Sequence, residues 1–291
     1  MDLNNQNHVE CFYHALLILD RKLKIGTNRS DNELKSLLEE KKTFSGIFHS
    51  QLDLFNQEDT DQKKLEKLLE DKDHLKLFQK ISKHDFQAIT INDPLFPENL
   101  KKQKNITPVI YTKGNLSLLD NDSIAVVGSR GNRPNLLLNE NLEQRAKEII
   151  QRQIQAGYTI VSGLALGSDT LAHEYAIKNN AKTIAVIATP LDRSSTRANE
   201  SLQEEIATNH LLISQYPIGI RTFPSHFAHR NLTTVSLAKE GITVILSDDR
   251  SGTRHAIRHC YNQGKRIYTL KENLDKGYQW EQKYKDKITP L

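Results

Sequence analysis

Two short segments rich in glycine and serine contain the residues that most directly suggest a chemistry. Gly128-Ser129-Arg130 follows an apolar run at 124–127, and Ser162-Gly163 follows a second run at 159–161. A buried strand that ends in such a segment, with a helix after it, presents backbone N–H groups, hydroxyls and the positive end of a helix dipole. These groups bind anions, so the two segments predict a phosphate-binding edge of a parallel sheet.

Four arginines add candidate phosphate contacts, namely Arg130, Arg133, Arg221 and Arg230. A guanidinium holds two phosphate oxygens in a fork, although Arg130 has the alternative of pairing with a carboxylate. Phe223 is a candidate for stacking on a base, and its alternative is a place in the core.

The polar pair Asp169 and His173 has four-residue spacing, which places both side chains on one face of a helix. An aspartate at a helix start usually caps it, so we interpret the pair as structural support for the loop, with an acid–base couple as the alternative. His255 and His259 have the same spacing without a third ligand, so no metal site is predicted. Arg250, Arg254 and Arg258 form a cationic stripe that could face DNA, a partner subunit or water.

Alternating strands and helices must position these residues. Buried strands are predicted at 124–127, 159–161, 183–187, 211–213, 243–246 and 266–270, with helical patterns between them. One helix is predicted from Asn139 to Ala156, ended by Gly157 in a left-handed conformation. This alternation predicts an α/β fold with a Rossmann-like, doubly wound parallel sheet.

The chain is predicted to have several parts. Residues 1–85 read as a helical domain, 86–120 as an extended connection, 121–272 as the Rossmann-like domain and 273–291 as a polar tail. With 37% apolar and 26% charged residues, the 291-residue chain is of ordinary globular composition, and a net charge of +4 permits a polyanionic partner.

The remaining features exclude several classes of protein. Cys11 and Cys260 are the only cysteines, so a disulfide framework is not expected. No run approaches 18 apolar residues and the N-terminus does not read as a signal peptide, which predicts a cytoplasmic protein without membrane contact. G-x-G-x-x-G and G-x-x-x-x-G-K-[ST] are both absent, so no cofactor and no catalytic residue are predicted.

Six motifs in order, between about 85 and 270, resemble the DNA-processing protein A (DprA/Smf) family. They are Gly128-Ser129-Arg130, the 161–169 segment with Ala172-His173, Pro217-Ile218-Gly219, the 227–231 segment, Ser251-Gly252-Thr253 and Gly264-Lys265-Arg266. The resemblance extends to Ile89-Thr90-Ile91-Asn92-Asp93 and Phe96-Pro97, and it adds Asn231, Ser251, Gly252 and Thr253 to the predicted binding residues.

The resemblance implies a nucleotide-sensing, Rossmann-like domain after a small all-helical, SAM-like domain, in a short form without a C-terminal winged helix. It also implies single-stranded DNA binding in natural transformation, a homodimer through the Rossmann-like domain, and loading of RecA recombinase. The chain departs from the family where Ala228 and Leu232 replace a proline and an arginine, which removes one expected phosphate contact.

Two other functions are compatible with the same superfold, a nucleotide-sensing module and a nucleoside-monophosphate glycosidase. The glycosidase needs a carboxylate shortly after its glycine-threonine loop. Here Gly252-Thr253 is followed by Arg254-His255-Ala256, so the sequence favours a protein that binds DNA and is not an enzyme.

Overall fold

The computed structural model describes residues 2–19, 31–50, 59–130 and 138–291. It divides into two compact units. The helical unit comprises Met1–Lys113, Thr189–Arg193 and Ser214–Thr222, and the sheet unit comprises Gly114–Ala188, Ser194–Ile213 and Phe223–Leu291.

The helical unit contains six helices and an antiparallel pair of strands within its described residues. They are α1 (Gln6–Leu19), α2 (Asp31–Lys41), α3 (Phe44–His49), α4 (Asp61–Leu68), α5 (Lys72–Ile81), β1 (Gln87–Thr90), α6 (Glu98–Lys101) and β2 (Val109–Gly114). Helix α1 is buried along most of its length, and its Phe12 ring packs edge-on against Phe78 of α5 at 5.3 Å. This aromatic contact joins α1 to α5 in the core of the unit.

The buried carboxylate of Glu10 in α1 caps α3. Its Oε2 accepts a hydrogen bond of 2.7 Å from the backbone N–H of Phe44, while the Thr43 side chain accepts from Gly46 N–H. Burial raises the pKa of Glu10 to about 7, against the lowering effect of hydrogen bonds from the backbone of Phe44 and Ser45.

The sheet unit alternates strands and helices. They are β3 (Ser123–Val127), α7 (Glu140–Gln155), β4 (Thr159–Ser162), α8 (Ser168–Lys178), β5 (Thr183–Ile187), α9 (Glu200–Asn209), β6 (Leu211–Ser214), α10 (Pro224–Leu237), β7 (Gly241–Val244), α11 (Thr253–Asn262), β8 (Arg266–Thr269), α12 (Lys271–Leu274), α13 (Gln279–Tyr284) and β9 (Ile288–Pro290).

The strand order in this unit is β6-β5-β4-β3-β7-β8-β9, and the chain reverses direction across the sheet at β3. Strand β3 pairs in parallel with β4 on one side and β7 on the other. Because parallel crossovers are right-handed, the helices on the two sides of the reversal cover opposite faces. All residues of β3, β4 and β5 are buried, as expected for a sheet covered on both faces. The predicted doubly wound parallel sheet is confirmed.

Helix α7 has the start and the end that the sequence predicts. The Asn139 side chain accepts a hydrogen bond from Leu142 N–H at 2.9 Å and caps the helix, and Gly157 follows its end with φ of +87°. Ile149 and Ile150 then pack against Ile124 and Val126 of β3 in the core.

The structure corrects two predicted boundaries. The strand expected at 243–246 is Gly241–Val244, and it starts with the pairing of Gly241 to Arg266 of β8. A Cβ on Gly241 would lie 2.1 Å from the Arg266 carbonyl oxygen, so glycine permits this pairing. The tail expected at 273–291 instead contains α13 and β9, and β9 pairs in parallel with β8. Trp280 of α13 is buried and donates from Nε1 to the Ser247 carbonyl at 3.3 Å.

None of the described helices has the length and apolar character needed to cross a membrane.

Lys265 holds the C-terminal end of α10. Its Nζ donates hydrogen bonds to the carbonyl oxygens of Val235 at 2.7 Å and Ala238 at 2.8 Å, which the helix itself leaves unsatisfied. Burial lowers the pKa of Lys265 from 10.5 to about 8.

We expect Lys265→Met to lower the free energy of unfolding by about 1–3 kcal/mol, because buried carbonyls lose their donor. In the native protein Lys265 releases its proton near pH 8, whereas the unfolded chain keeps it up to about pH 10.5. The unfolded state therefore binds more protons in this window, so this group makes stability rise with pH. Denaturant unfolding of the native protein should give a higher free energy of unfolding at pH 10 than at pH 8. Lys265→Met should lose this increase, whereas the exposed control Lys276→Met should keep it. The same increase in both variants would contradict the role assigned to Lys265.

Candidate functional site

A cavity of about 340 Å³ lies in the sheet unit at the carboxyl ends of β3, β4 and β7. This is where the chain reverses across the sheet, the place at which open α/β sheets bind ligands. The segments after β3 and β4 line it together with the first turns of α10 and α11. Of the predicted residues, the lining includes Gly128, Ser129, Arg130, Gly163, Arg230, Asn231, Ser251, Gly252 and Thr253.

The loop after β3 is fixed by close contacts with two helices. The Thr253 hydroxyl of α11 donates to the Gly128 carbonyl at 3.1 Å, and the Ser168 N–H at the start of α8 donates to the Ser129 carbonyl at 3.1 Å. A Cβ on Gly128 would lie 2.3 Å from Ser168 Oγ. Glycine is therefore required at position 128 for the loop after β3 to approach the start of α8 this closely.

The guanidinium of Arg230 lies below the loop that follows β4. Arg230 is 4% exposed, and its Nη1 donates to the Val186 carbonyl of β5 at 2.8 Å. A Cβ on Gly163 would lie 1.5 Å from this nitrogen, so Gly163 makes room for the guanidinium. The sequence predicts Arg230 as a phosphate contact, but the structure places it in the floor of the cavity with part of its donor set used by the protein.

Asp169 supplies a negative charge close to Arg230. Its Oδ2 accepts a hydrogen bond from Ala165 N–H at 3.2 Å, which holds the loop after β4. Burial raises the pKa of the carboxyl, whereas Arg230 and then this hydrogen bond lower it. The sequence predicts Asp169 as structural support for the loop, and its hydrogen bond to Ala165 N–H lies within that loop.

His173 does not form the expected pair with Asp169. Its Nδ1 lies 2.7 Å from Thr183 Oγ1, and that hydroxyl donates its own proton to the Ile160 carbonyl at 2.8 Å. The Nδ1 atom must therefore carry the proton of a neutral ring. Burial, with smaller effects of His210 and Arg230, lowers the pKa of His173 to about 3. The side chain joins α8 to β5, and the Thr183 hydroxyl extends this contact to β4.

Arg130 is the exposed cation at the mouth of the cavity. Its guanidinium carbon lies 5.2 Å from the centre of the Phe227 ring in α10, a cation–π contact. A cation–π contact uses no N–H donor in a hydrogen bond to the protein, so the guanidinium can still donate to a ligand. Phe227 thus aims Arg130, a role the sequence does not reveal.

The start of α11 adds hydroxyl and amide groups to the lining. Thr253 N–H donates to Ser251 Oγ at 3.2 Å, and Asn231 Nδ2 lies 3.4 Å from the Gly252 carbonyl. His255 also lines the cavity and was not among the predicted binding residues. Its position three residues after Gly252 in the first helical turn is the signal that could have identified it.

Four predicted residues fall outside the described lining. The Ser162 hydroxyl is fully buried and donates to the Val126 carbonyl at 2.6 Å, so it is used within the protein. Arg221 is exposed and belongs to the helical unit. Phe223 is 52% exposed and contacts His226 edge-on, and Arg133 lies outside the described residues.

The cavity has the composition of an anion-binding site. It presents Arg130, the hydroxyl of Ser251 and the N-terminal turns of α10 and α11, each of which stabilises negative charge. Among the described lining residues the only carboxylate is Asp169, which is engaged by Ala165 N–H. No group of three or more His, Cys, Asp or Glu side chains in the described ranges could hold a metal ion.

Comparison with known proteins assigns the chain to a family. The family model of DNA recombination-mediator protein A matches residues 87–283. The chain belongs to this family. The match includes every described residue that lines the cavity.

Individual members of the family give the same result. DNA processing protein DprA of Streptococcus pneumoniae is 34% identical over 192 residues, which span 66% of this chain and 65% of that relative. The X-ray structure of the S. pneumoniae DprA superposes with a TM-score of 0.67 at 24% identity, covering 100% of this chain and 95% of the other, and supports the fold.

A structure of DNA processing protein A from Helicobacter pylori, reported for its single-stranded DNA binding mode, also matches. It superposes with a TM-score of 0.56 at 26% identity, and the match covers 69% of this chain and 95% of the other.

Two glycines of the cavity give a matched test of its packing. Gly163→Ala places a methyl group where the Arg230 guanidinium lies, and we expect a loss of about 1–3 kcal/mol in the free energy of unfolding. Gly252→Ala meets no atom within 4 Å, and its change should stay within about 0.5 kcal/mol. Denaturant unfolding of both variants measures the difference, and equal stabilities would show that Arg230 moves aside without cost.

Proposed function

We propose that the protein binds single-stranded DNA, with the strand backbone entering the cavity at the carboxyl ends of β3, β4 and β7. The observation that carries the proposal is the convergence of Arg130, the Gly128-Ser129 loop and the Ser251-Gly252-Thr253 turn on one cavity. A protein of this family from H. pylori has a structure reported for its single-stranded DNA binding mode, which supports the same ligand class here.

The dimensions and chemistry of the cavity favour a single strand. A volume of about 340 Å³ suits one nucleotide unit and is too small for a duplex. Hydroxyls, backbone amides and a guanidinium contact phosphates, and such contacts carry no sequence information. Phe223, exposed at the start of α10, is retained as a candidate for stacking on a base. We therefore expect little sequence preference and strong dependence on salt.

The wider role is proposed from the family. A recombination mediator places a recombinase on single-stranded DNA, and we propose that this protein loads RecA during natural transformation, in the cytoplasm and as a homodimer formed through the sheet unit. The family description supports the recombination role.

Binding without bond cleavage is part of the proposal. A glycosidase of this superfold needs a carboxylate that is free to handle a proton, whereas Asp169 holds the loop after β4. Incubation with nucleoside monophosphates should release no free base. A steady release that Asp169→Asn abolishes would instead support the enzyme.

Arg130→Ala should weaken binding of single-stranded oligonucleotides of all sequences about tenfold to a hundredfold, since one charge-assisted phosphate contact is lost. The slope of log affinity against log salt should become shallower by about 0.7. Fluorescence anisotropy at several salt concentrations measures both effects. Arg152→Ala is the control, because Arg152 is exposed in the last turn of α7, at the opposite edge of the sheet; equal losses in both variants would remove Arg130 from the site.

In a strand-exchange reaction on DNA coated with single-stranded DNA-binding protein, the protein should shorten the lag before a bacterial RecA acts. Arg130→Ala should lose this effect in proportion to its weaker DNA binding, since loading requires the mediator to hold the strand. If the native protein binds DNA and leaves the lag unchanged, RecA loading is wrong while DNA binding stands.

A further inference from the structure

We propose that Arg254 and Arg258 form a second phosphate-binding surface, the α11 arginine row, over which the single strand continues after it leaves the cavity. The inference rests on the proposed DNA binding and extends it to a defined path. It assigns a function to an exposed helical face outside the cavity lining.

The α11 arginine row begins where the cavity ends. Helix α11 starts at Thr253, which lines the cavity, and its Ala256, Ile257 and Cys260 are buried on the face that packs inward. Arg254 and Arg258 are exposed and one helical turn apart. Arg254 is therefore next to a cavity residue in the chain, and Arg258 lies one turn further along the same helix.

The two arginines are not neutralised by acidic neighbours. Among the described residues neither Arg254 nor Arg258 forms an ion pair, and Arg254 Nε makes one long contact of 3.4 Å with the Ser251 carbonyl. The acidic residues that precede the helix are used elsewhere. Asp248 Oδ1 accepts from Arg250 N–H at 2.9 Å, and the two oxygens of Asp249 accept from the backbone N–H groups of Gln279 and Trp280.

The positive potential of the row reaches the cavity. His255 lines the cavity, and its pKa is lowered first by burial and then by Arg258 and Arg254. Because both guanidinium charges lower the pKa of His255, their electrostatic potential extends into the cavity that His255 lines. An anionic backbone emerging from the cavity is stabilised by the field that disfavours a protonated His255.

The spacing of the row suits a single strand. Four residues of helix advance about 6 Å, and stacked nucleotides of one strand are about 3.4 Å apart along the axis. Neighbouring phosphates of a partly unstacked strand can therefore reach one arginine each. The cavity holds about one nucleotide unit, so a longer strand must lie on an adjoining surface, and this one has the required charge.

The experiment compares short and long ligands. Binding of a trinucleotide and of an oligothymidylate of about 20 nucleotides is measured by anisotropy for the native protein, R254Q/R258Q, R254K/R258K and the control R152Q/K178Q. The control removes the same charge from exposed positions in the last turns of α7 and α8, at the other edge of the sheet. Circular dichroism confirms that each variant is folded.

We expect R254Q/R258Q to bind the long oligonucleotide at least tenfold more weakly, with a salt slope shallower by about 1.4 for two lost contacts. Its affinity for the trinucleotide should change less than twofold. R254K/R258K should keep most of the native dependence of affinity on salt, because lysine retains the positive charge. The control should behave as the native protein.

Other outcomes overturn the proposal in distinct ways. Equal losses for both ligands would show that the arginines act only through the general field, and unchanged affinities would remove the row from the path. A change in sedimentation of R254Q/R258Q with unchanged DNA binding would assign the row to a protein partner, a second copy of the chain. If the native protein binds neither ligand, the proposed DNA binding itself is wrong, which is distinguishable from failure of the row alone.

Discussion

The buried guanidinium of Arg230 is the interaction on which the candidate site depends. It joins α10 to β5 through the Val186 carbonyl and occupies the space that Gly163 leaves open. A buried charge is costly unless hydrogen bonds and an opposite charge compensate it. Asp169 supplies that charge, and it also holds the loop after β4 through Ala165 N–H. Asp169 therefore holds the loop after β4, and Arg230 ties α10 to β5 on the other side of the cavity.

This arrangement explains why some cavity positions require glycine. At Gly128 and Gly163 a side chain would occupy space already filled by Ser168 Oγ and the Arg230 guanidinium. The loops are thus pressed against α8 and α10, and their backbone N–H groups are set in place before a ligand arrives. Preorganised donors bind an anion without the entropic cost of ordering a flexible loop. Gly252, where a Cβ meets no atom within 4 Å, has no such packing role.

The fold could be predicted from the sequence because its determinants are local. Runs such as 124–127 and the capping of α7 by Asn139 and Gly157 depend on residues next to one another, and the structure confirms both. The end of the chain was misread, since its polar composition conceals Trp280 and Tyr284, whose burial depends on packing against distant elements. Composition alone cannot show such long-range contacts.

The site could be predicted only in part, because the direction of a side chain depends on the tertiary structure. Ser162 and Gly163 are adjacent, yet the Ser162 hydroxyl donates to the Val126 carbonyl of the neighbouring strand, whereas Gly163, in the loop just after β4, lines the cavity. His173 shares a helical face with Asp169, but its Nδ1 atom hydrogen-bonds to the hydroxyl of Thr183 in β5. Residue type and spacing predict the loops, whereas packing determines which of their atoms face the cavity.

The arginines of the sheet unit divide into two classes by burial, and this division determines what the cavity can do. Arg230 is buried and donates to a protein carbonyl, whereas Arg130 is exposed and lies over the Phe227 ring. Phe227 and Arg230 are both on α10, so the buried arginine positions the ring that aims the exposed one. Lys265, at the other end of the same helix, satisfies its last carbonyls. Helix α10 is therefore held at both ends, which fixes the Phe227 ring beneath the one exposed guanidinium of the described lining.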